Sequence, residues 1–142
     1  MSAIFHNCTK QTRPKNAPQL NYAKYADKNI YPNGSSELAV LMREMYDDTK
    51  TIQESIVLGN FPKDFREKFN YIHIAQATEE SKKTEAYPMM AKAFMTNLDI
   101  LYESKDLNER TKQFNIVVES CISCHRMHCP GPIKKIQKLQ IP

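Results

Sequence analysis

The sequence predicts an all-α fold, an antiparallel four-helix bundle with an irregular N-terminal arm and a short C-terminal tail. The middle of the 142-residue chain is rich in Lys, Glu, Met, Leu and Ala, which favour helix. Apolar residues recur there at three- and four-residue steps, the spacing of one helix face. Only 3 glycines are present, too few for a fold with many tight hairpin turns. We expect an arm over residues 1–34, a bundle over 35–129 and a tail over 130–142.

The first helix is predicted to begin at Ser35 or Ser36, because either hydroxyl can cap the unpaired amides of a first turn. Gly59 is typical of a residue that ends a helix. Between them one apolar stripe follows the helical spacing, and its members are Leu38, Leu41, Met42, Met45, Ile52 and Ile56.

Three more helices are predicted after the first. The second begins at Pro62, continues through Gln76 on one apolar face and fades into a polar stretch. The third begins at Pro88, and the fourth begins after Asp106, where Glu109 completes a near capping box. Short connections favour antiparallel packing of neighbouring helices.

The two ends of the chain differ from the bundle. The first 34 residues contain three prolines and no sustained apolar period, so we expect either an arm held on the bundle by Tyr22, Tyr25 and Tyr31 or a partly disordered tail. Residues 133–139 are basic and amphipathic. We expect them to form a final turn packed on the bundle with its lysines in solvent, and a membrane or partner contact is the alternative.

Composition and charge exclude several classes of function. The formal net charge of +4 comes without a dense basic stripe and interleaved aromatic residues, so nucleic-acid binding is not predicted. No apolar run approaches the roughly 18 residues of a membrane-spanning helix. Neither a catalytic Ser-His-Asp set, nor a paired-carboxylate motif, nor a phosphate-binding loop is visible. We therefore expect a protein that is not an enzyme.

Residues 121–125 read Cys-Ile-Ser-Cys-His, the pattern of c-type haem attachment. Cys121 and Cys124 are three residues apart, so a helix places both sulfurs on one side, where each can form a thioether with one haem vinyl group. His125 follows directly and would bind the iron through an imidazole nitrogen. Phe114, Val117 and Val118 lie one to three turns earlier and are predicted to wall the haem. The sequence therefore predicts one covalent haem c.

Other chemistries can use the same residue types. A thioredoxin-type redox pair would need a strand before the motif and a βαβ pattern, which the sequence lacks. A zinc site could recruit cysteines and histidines between residues 121 and 129, although zinc motifs usually place their ligand pairs on turns. Two cysteines and a histidine in an ordinary core are the third possibility.

Four helices with the attachment motif near the end of the last one resemble the cytochrome c′ family and its low-spin, Met-ligated relatives. The resemblance covers about Ser35 to Cys129. It implies a haem between the helices, His125 as the fifth iron ligand and a residue of the first helix on the other side of the iron. It also implies a periplasmic protein, often a dimer, that binds NO or CO or carries electrons. The chain departs from the family at Cys129, where many members have a basic residue, and at Arg126, which follows the histidine directly.

The residue opposite His125 decides between two functions. A methionine thioether from Met42 or Met45 would give six-coordinate iron and raise its reduction potential, which suits electron transfer. An apolar cover would leave five-coordinate iron open to NO or CO. His73 is a rival ligand, and both methionines could instead be core filler. The leading interpretation is a monohaem electron-transfer protein, followed by a gas-binding protein and by a zinc-stabilised interaction domain.

Haem attachment to this motif normally takes place outside the cytoplasm. We therefore expect a periplasmic or otherwise extracytoplasmic protein whose export signal has been removed, since residues 1–8 lack the basic start and apolar core of a signal peptide. Cys8 and Cys129 remain after two thioethers, and a disulfide between them is expected in an oxidising compartment. The expected partners are a redox protein, NO or CO in the gas-binding alternative, and a second copy of the chain if it dimerises.

Overall fold

The computed structural model describes residues 13–32 and 35–142. Within those residues every regular element is helical, which confirms the all-α prediction. The α-helices are α1 (Glu37–Val57), α2 (Arg66–Phe69), α3 (Tyr87–Glu103), α4 (Leu107–His128) and α5 (Ile133–Gln137). Short 3-10 turns cover Ala23–Tyr25, Asn70–His73 and Glu80–Lys82.

Two long helices begin where their capping side chains predict. The Ser36 hydroxyl accepts a hydrogen bond from a backbone amide in the first turn of α1, at 3.2 Å. Asp106 accepts one from the Glu109 amide at 2.9 Å, and the Glu109 carboxylate accepts one from the Lys105 amide at 2.9 Å, which completes a capping box. α1 ends just before Gly59, whose φ of +76° is a left-handed conformation that glycine adopts at little cost.

The second long helix that the sequence predicts is not formed. Instead the four residues of α2 lead directly into a 3-10 turn. In a continued helix the Ile72 carbonyl would accept the Gln76 amide. Here that carbonyl accepts the Tyr87 hydroxyl at 2.9 Å, while the Gln76 amide donates to the Glu37 carboxylate at 3.2 Å. Hydrogen bonds to distant residues thus occupy backbone groups that a helix continuing to Gln76 would need.

α3 and α4 pack against each other as an antiparallel pair. Near the end of α3, the Arg110 guanidinium from the start of α4 donates to a backbone carbonyl at 3.3 Å. In the middle the Asn97 side-chain amide donates to the Ser120 hydroxyl at 2.7 Å. At the other end the rings of Tyr87 and His128 meet edge to face, with their centroids 5.4 Å apart. The end of α4 therefore lies beside the start of α3.

α1 runs antiparallel to α4. Where α1 ends, the ring of Phe61 lies 4.7 Å from the Arg110 guanidinium in the first turn of α4. Where α1 begins, its capping serine accepts a hydrogen bond from Thr78 at 3.0 Å. The same linker reaches the end of α4, because the Thr84 hydroxyl and the His128 ring are 2.8 Å apart. The start of α1 and the end of α4 therefore share one end of the bundle.

The described part of the N-terminal arm lies on the helices. Leu20 and Tyr25 are buried, and Tyr22 and Tyr31 pack partly buried against the same core. The rings of Tyr25 and Tyr31 meet edge to face at 5.4 Å. The predicted role of these tyrosines is thus confirmed over residues 13–32.

The C-terminal tail packs on α1 and α4, as one of its two interpretations predicts. Ile136 and Leu139 are buried. The Gln53 side-chain amide donates to the Leu139 carbonyl at 2.8 Å, and the side chain of Asn115 exchanges two hydrogen bonds of 2.8 Å with the backbone of Ile141. The lysines of the tail are exposed. Among the described residues, no helix has both the length and the apolar character needed to cross a bilayer.

A cluster of charges joins α2 to α1 and to the arm. The Lys68 ammonium lies 2.8 Å from a Glu44 oxygen and 2.6 Å from an Asp48 oxygen. Glu44 is buried and also accepts the Asn21 amide at 2.6 Å. Burial alone would lower the pKa of Lys68, but the two neighbouring carboxylates outweigh it and raise that pKa. The cluster therefore holds Lys68 charged and fixes three segments together.

We predict that Lys68→Met lowers the free energy of unfolding by about 2 kcal/mol, because it leaves one buried and one partly buried carboxylate without their shared cation. Urea denaturation at neutral pH followed by circular dichroism measures the change. Lys92→Met is the matched control, since Lys92 is exposed on α3 and forms no ion pair with the described residues. Equal stabilities of the two variants would contradict a stabilising cluster.

Candidate functional site

The last two turns of α4 carry Cys121, Cys124 and His125, and α4 extends beyond them to His128. The helix that the sequence predicts over residues 121–125 is therefore formed. At these spacings the three side chains share one side of the helix. Their neighbours in the fold are the start of α3 and, at the same end of the bundle, the start of α1.

The two cysteines have different surroundings. Cys121 is partly buried and packs against the hydrophobic core. Cys124 lines a groove of about 300 Å³ between α3 and α4, together with Met90, Ala93 and Ile116. Burial raises the pKa of the Cys121 thiol to about 12 and also raises the pKa of Cys124. Both side chains are therefore held as protonated thiols near neutral pH.

His125 is held in the form that binds metals. Its Nδ1 lies 2.8 Å from the Cys129 carbonyl oxygen. Because a carbonyl only accepts, Nδ1 carries the hydrogen and Nε2 keeps a free lone pair. Burial lowers the pKa of His125, and this hydrogen bond opposes the shift without cancelling it. A neutral imidazole whose Nδ1 donates to a backbone carbonyl is a common arrangement of histidine ligands.

His128 joins the end of α4 to the linker before α3, a link that is not predicted from the sequence. We call this link the His128 tie. Its Nδ1 donates to the Cys124 carbonyl at 2.9 Å and lies 3.6 Å from the Cys124 sulfur. Its Nε2 therefore accepts from the Thr84 hydroxyl at 2.8 Å, and its ring packs edge-on against Tyr87. His128 fixes the turn that carries Cys124 to the linker before α3. The four-residue spacing from Cys124 is the only signal of this tie in the sequence.

Phe114, Val117 and Val118 are fully buried in the core, on the same side of α4 as Cys121. Their burial agrees with the sequence pattern, and their role as haem walls stays a prediction. Met45 is buried and Met42 is partly buried against the same core. Both methionines lie in the first half of α1, at the end of the bundle where α4 ends.

His73 has a different position from the one its pattern predicts. Because the segment after α2 is a 3-10 turn rather than a helix, His73 is exposed instead of facing the core. Cys129 is exposed just after α4. Its predicted disulfide partner, Cys8, lies outside the described residues, so the disulfide stays a prediction.

The side chains near the end of α4 can be compared with the ligands that zinc and covalent haem each need. Over the described parts of the chain, no three Cys, His, Asp or Glu side chains come together in a group able to hold a metal ion. A structural zinc site takes four such ligands and a catalytic one takes three, whereas c-type haem needs two thiols and one imidazole nitrogen from this segment. Cys121, Cys124 and His125 supply those three groups. The groove beside Cys124 has only the volume of a small-ligand pocket, so a porphyrin would have to displace neighbouring side chains or lie partly in solvent.

We predict that Thr84→Val destabilises the protein by about 1 kcal/mol, because it removes the hydroxyl that donates to His128 and leaves the ring nitrogen unpaired. Thr96→Val is the matched control, since Thr96 is exposed on α3 and has no hydrogen-bond partner among the described residues. Thermal and urea unfolding measure both variants. If Thr84→Val behaves like Thr96→Val, the tie does not stabilise the end of α4.

A scan against protein-family models, a search of curated proteins and a search of solved structures each found no match to this chain. The resemblance to the cytochrome c′ family therefore rests on the residues of the chain itself, above all on the five-residue attachment motif and its place near the end of α4.

Proposed function

We propose that this chain is a monohaem c-type cytochrome that carries electrons, with one haem c attached to Cys121 and Cys124 and with His125 as an axial iron ligand. One observation carries the proposal. The attachment pattern lies on a single helix, and the imidazole that follows it is neutral, with Nδ1 donating to Cys129 and Nε2 free.

The chain's own residues have distinct parts in this function. Haem supplies an iron that gains and loses one electron when it is bound at these residues. Cys121 and Cys124 would hold it covalently, and His125 would ligate it through Nε2. The hydrogen bond from His125 to the Cys129 carbonyl orients the ring and makes it a stronger donor. Phe114, Val117 and Val118 provide apolar surroundings that disfavour extra charge on the site and so favour a higher potential.

The position of the motif along the chain supports the same proposal. In a cytochrome c′-like four-helix bundle the motif lies near the end of the last helix, and here it lies near the end of α4, the last long helix among the described residues. In this chain the second helix of that bundle would be reduced to α2 and the turn after it. Since attachment to this motif normally occurs outside the cytoplasm, we place the protein in the periplasm or a similar compartment. A redox protein is the expected partner, and the chain has no substrate chemistry of its own.

Gas binding is the second candidate function. Met42 and Met45 both pack against the hydrophobic core, an arrangement that also suits an apolar cover over five-coordinate iron. Such iron would be open to NO or CO. The state of the sixth coordination position separates this function from electron transfer.

We expect the protein, produced with an export signal in cells that mature c-type cytochromes, to retain one haem after denaturation. Mass spectrometry measures the added mass on the unfolded chain. Cys121→Ser with Cys124→Ser should give a chain without covalent haem. Cys129→Ser is the matched control and should keep it. A bare chain mass for the unaltered protein would contradict the proposal, and metal analysis would then test zinc.

We expect a reduced absorption spectrum with sharp α and β bands, and we expect Met45→Ala to replace them with the broad band of high-spin iron, because the thioether ligand is removed. Met89→Ala is the control, since that methionine is 77% exposed on α3. Met42→Ala tests the neighbouring candidate. If neither Met42→Ala nor Met45→Ala alters a low-spin spectrum, the methionine assignment is wrong. A broad band and CO binding in the unaltered protein would favour the gas-binding function.

A further inference from the structure

The C-terminal tail has two unlike sides. Its apolar side chains face inward, where Ile136 and Leu139 are buried in the core. Its outer side carries Lys134, Lys135 and Lys138, all of them exposed. Residues 130–142 contain no acidic residue, so this outer side is purely basic.

The neighbouring surface of α1 extends the basic side. The Lys135 ammonium lies 4.1 Å from the centre of the Tyr46 ring, and Gln53 binds the Leu139 carbonyl at 2.8 Å. Lys50 is exposed on α1 between these two contact residues. We call Lys50, Lys134, Lys135 and Lys138 the C-terminal lysine face.

Carboxylates of the same protein do little to neutralise this face. Within residues 13–32 and 35–142, none of its four lysines forms an ion pair with a carboxylate. Asp47 is next to Tyr46 on α1, but its carboxylate is bound to Lys24 at 2.6 Å. Glu54, one turn after Lys50, is exposed and adds one negative charge nearby. Four cations thus face solvent beside the exposed Glu54 and beside Asp47, which interacts electrostatically with Lys135 but is already bound to Lys24.

We propose that the C-terminal lysine face docks an acidic patch on a partner protein. The proposal rests on the proposed function, in which the partner is the redox protein that exchanges electrons with this chain. α5 follows the end of α4 after a short turn, so three of the four lysines come soon after the attachment motif in the chain. Complementary charges at such a face orient the encounter and speed association.

The packing of the tail favours a protein partner over a lipid surface. A helix that lies in a membrane interface buries its apolar face among the acyl chains. Here the apolar side of α5 is already used, since Ile136 and Leu139 lie in the core and Ile133 packs against it. Only the charged side of α5 remains exposed for binding. Exposed lysines are sufficient for electrostatic docking to a protein that carries carboxylates on its surface.

Charge reversal at Lys134 and Lys138 tests the proposal in the full exported protein. The probe is a fluorescently labelled poly-glutamate peptide, whose binding is followed by anisotropy at low ionic strength. We expect Lys134→Glu with Lys138→Glu to weaken binding by about tenfold. Lys92→Glu with Lys105→Glu changes the net charge equally, on exposed positions of α3 and just beyond it, and should weaken binding by less than about twofold.

Equal losses in the two double variants would overturn the proposal, because binding would then follow net charge alone. Binding of the same variants to vesicles of phosphatidylglycerol is the second measurement. If the lysine-face variant loses vesicle binding but keeps peptide binding, the face serves lipid and the proposal fails. Circular dichroism verifies that both variants keep their helices. Peptide binding does not require haem, so a bare chain mass together with the expected binding pattern would refute the cytochrome and leave the docking face standing.

Discussion

The arrangement of this fold depends most on the contacts that Tyr87 makes. Its ring packs against His128 at the end of α4, and its hydroxyl donates to the Ile72 carbonyl in the turn after α2. The residue itself starts α3 and is buried. One side chain thus joins three segments that are far apart in the sequence. Burial raises its pKa, so the hydroxyl stays protonated and remains a donor. The end of α4 is held in place because α3 begins with this residue.

The parts of the fold that could be predicted depend on neighbours in the sequence. The caps at Ser36 and Asp106 act over three residues, and the apolar stripes of α1, α3 and α4 follow the helical period. The second helix could not be predicted in the same way. Its pattern is helical, but Glu37 and Tyr87 take the backbone groups that the helix would need, and neither partner is visible from the local sequence. The ion pairs from Lys68 to α1 could not be predicted for the same reason. Their carboxylates lie earlier in the chain by more residues than five turns of helix contain.

In the candidate site too, some features follow from neighbours in the sequence and others depend on residues far away in the chain. The spacing of Cys121, Cys124 and His125 is local, so the sequence predicts both their helix and their shared side. The state of His125 follows from a carbonyl four residues later and could in principle be anticipated from the end of α4. The tie between His128 and Thr84 spans 44 residues and depends on the packing of the linker. Met42 and Met45 lie in the first half of α1 and pack against the core, and their proposed role as iron ligands depends on how α1 packs against α4, which the helical period alone does not determine.

The hydrogen bonds of the tail also bear on the order in which the chain folds. Asn97 of α3 bonds to residues only 16 and 23 positions later, so the α3–α4 hairpin closes through short loops. Gln53 reaches the tail across 86 positions. Closing a longer loop costs more chain entropy and slows the search, so the hairpin can form early while the tail closes over α1 late. The tail can pack on α4 earlier, since Asn115 bonds to Ile141 across only 26 positions. Until the tail also meets α1, Lys50 is not yet beside the lysines of the tail, so the C-terminal lysine face is incomplete.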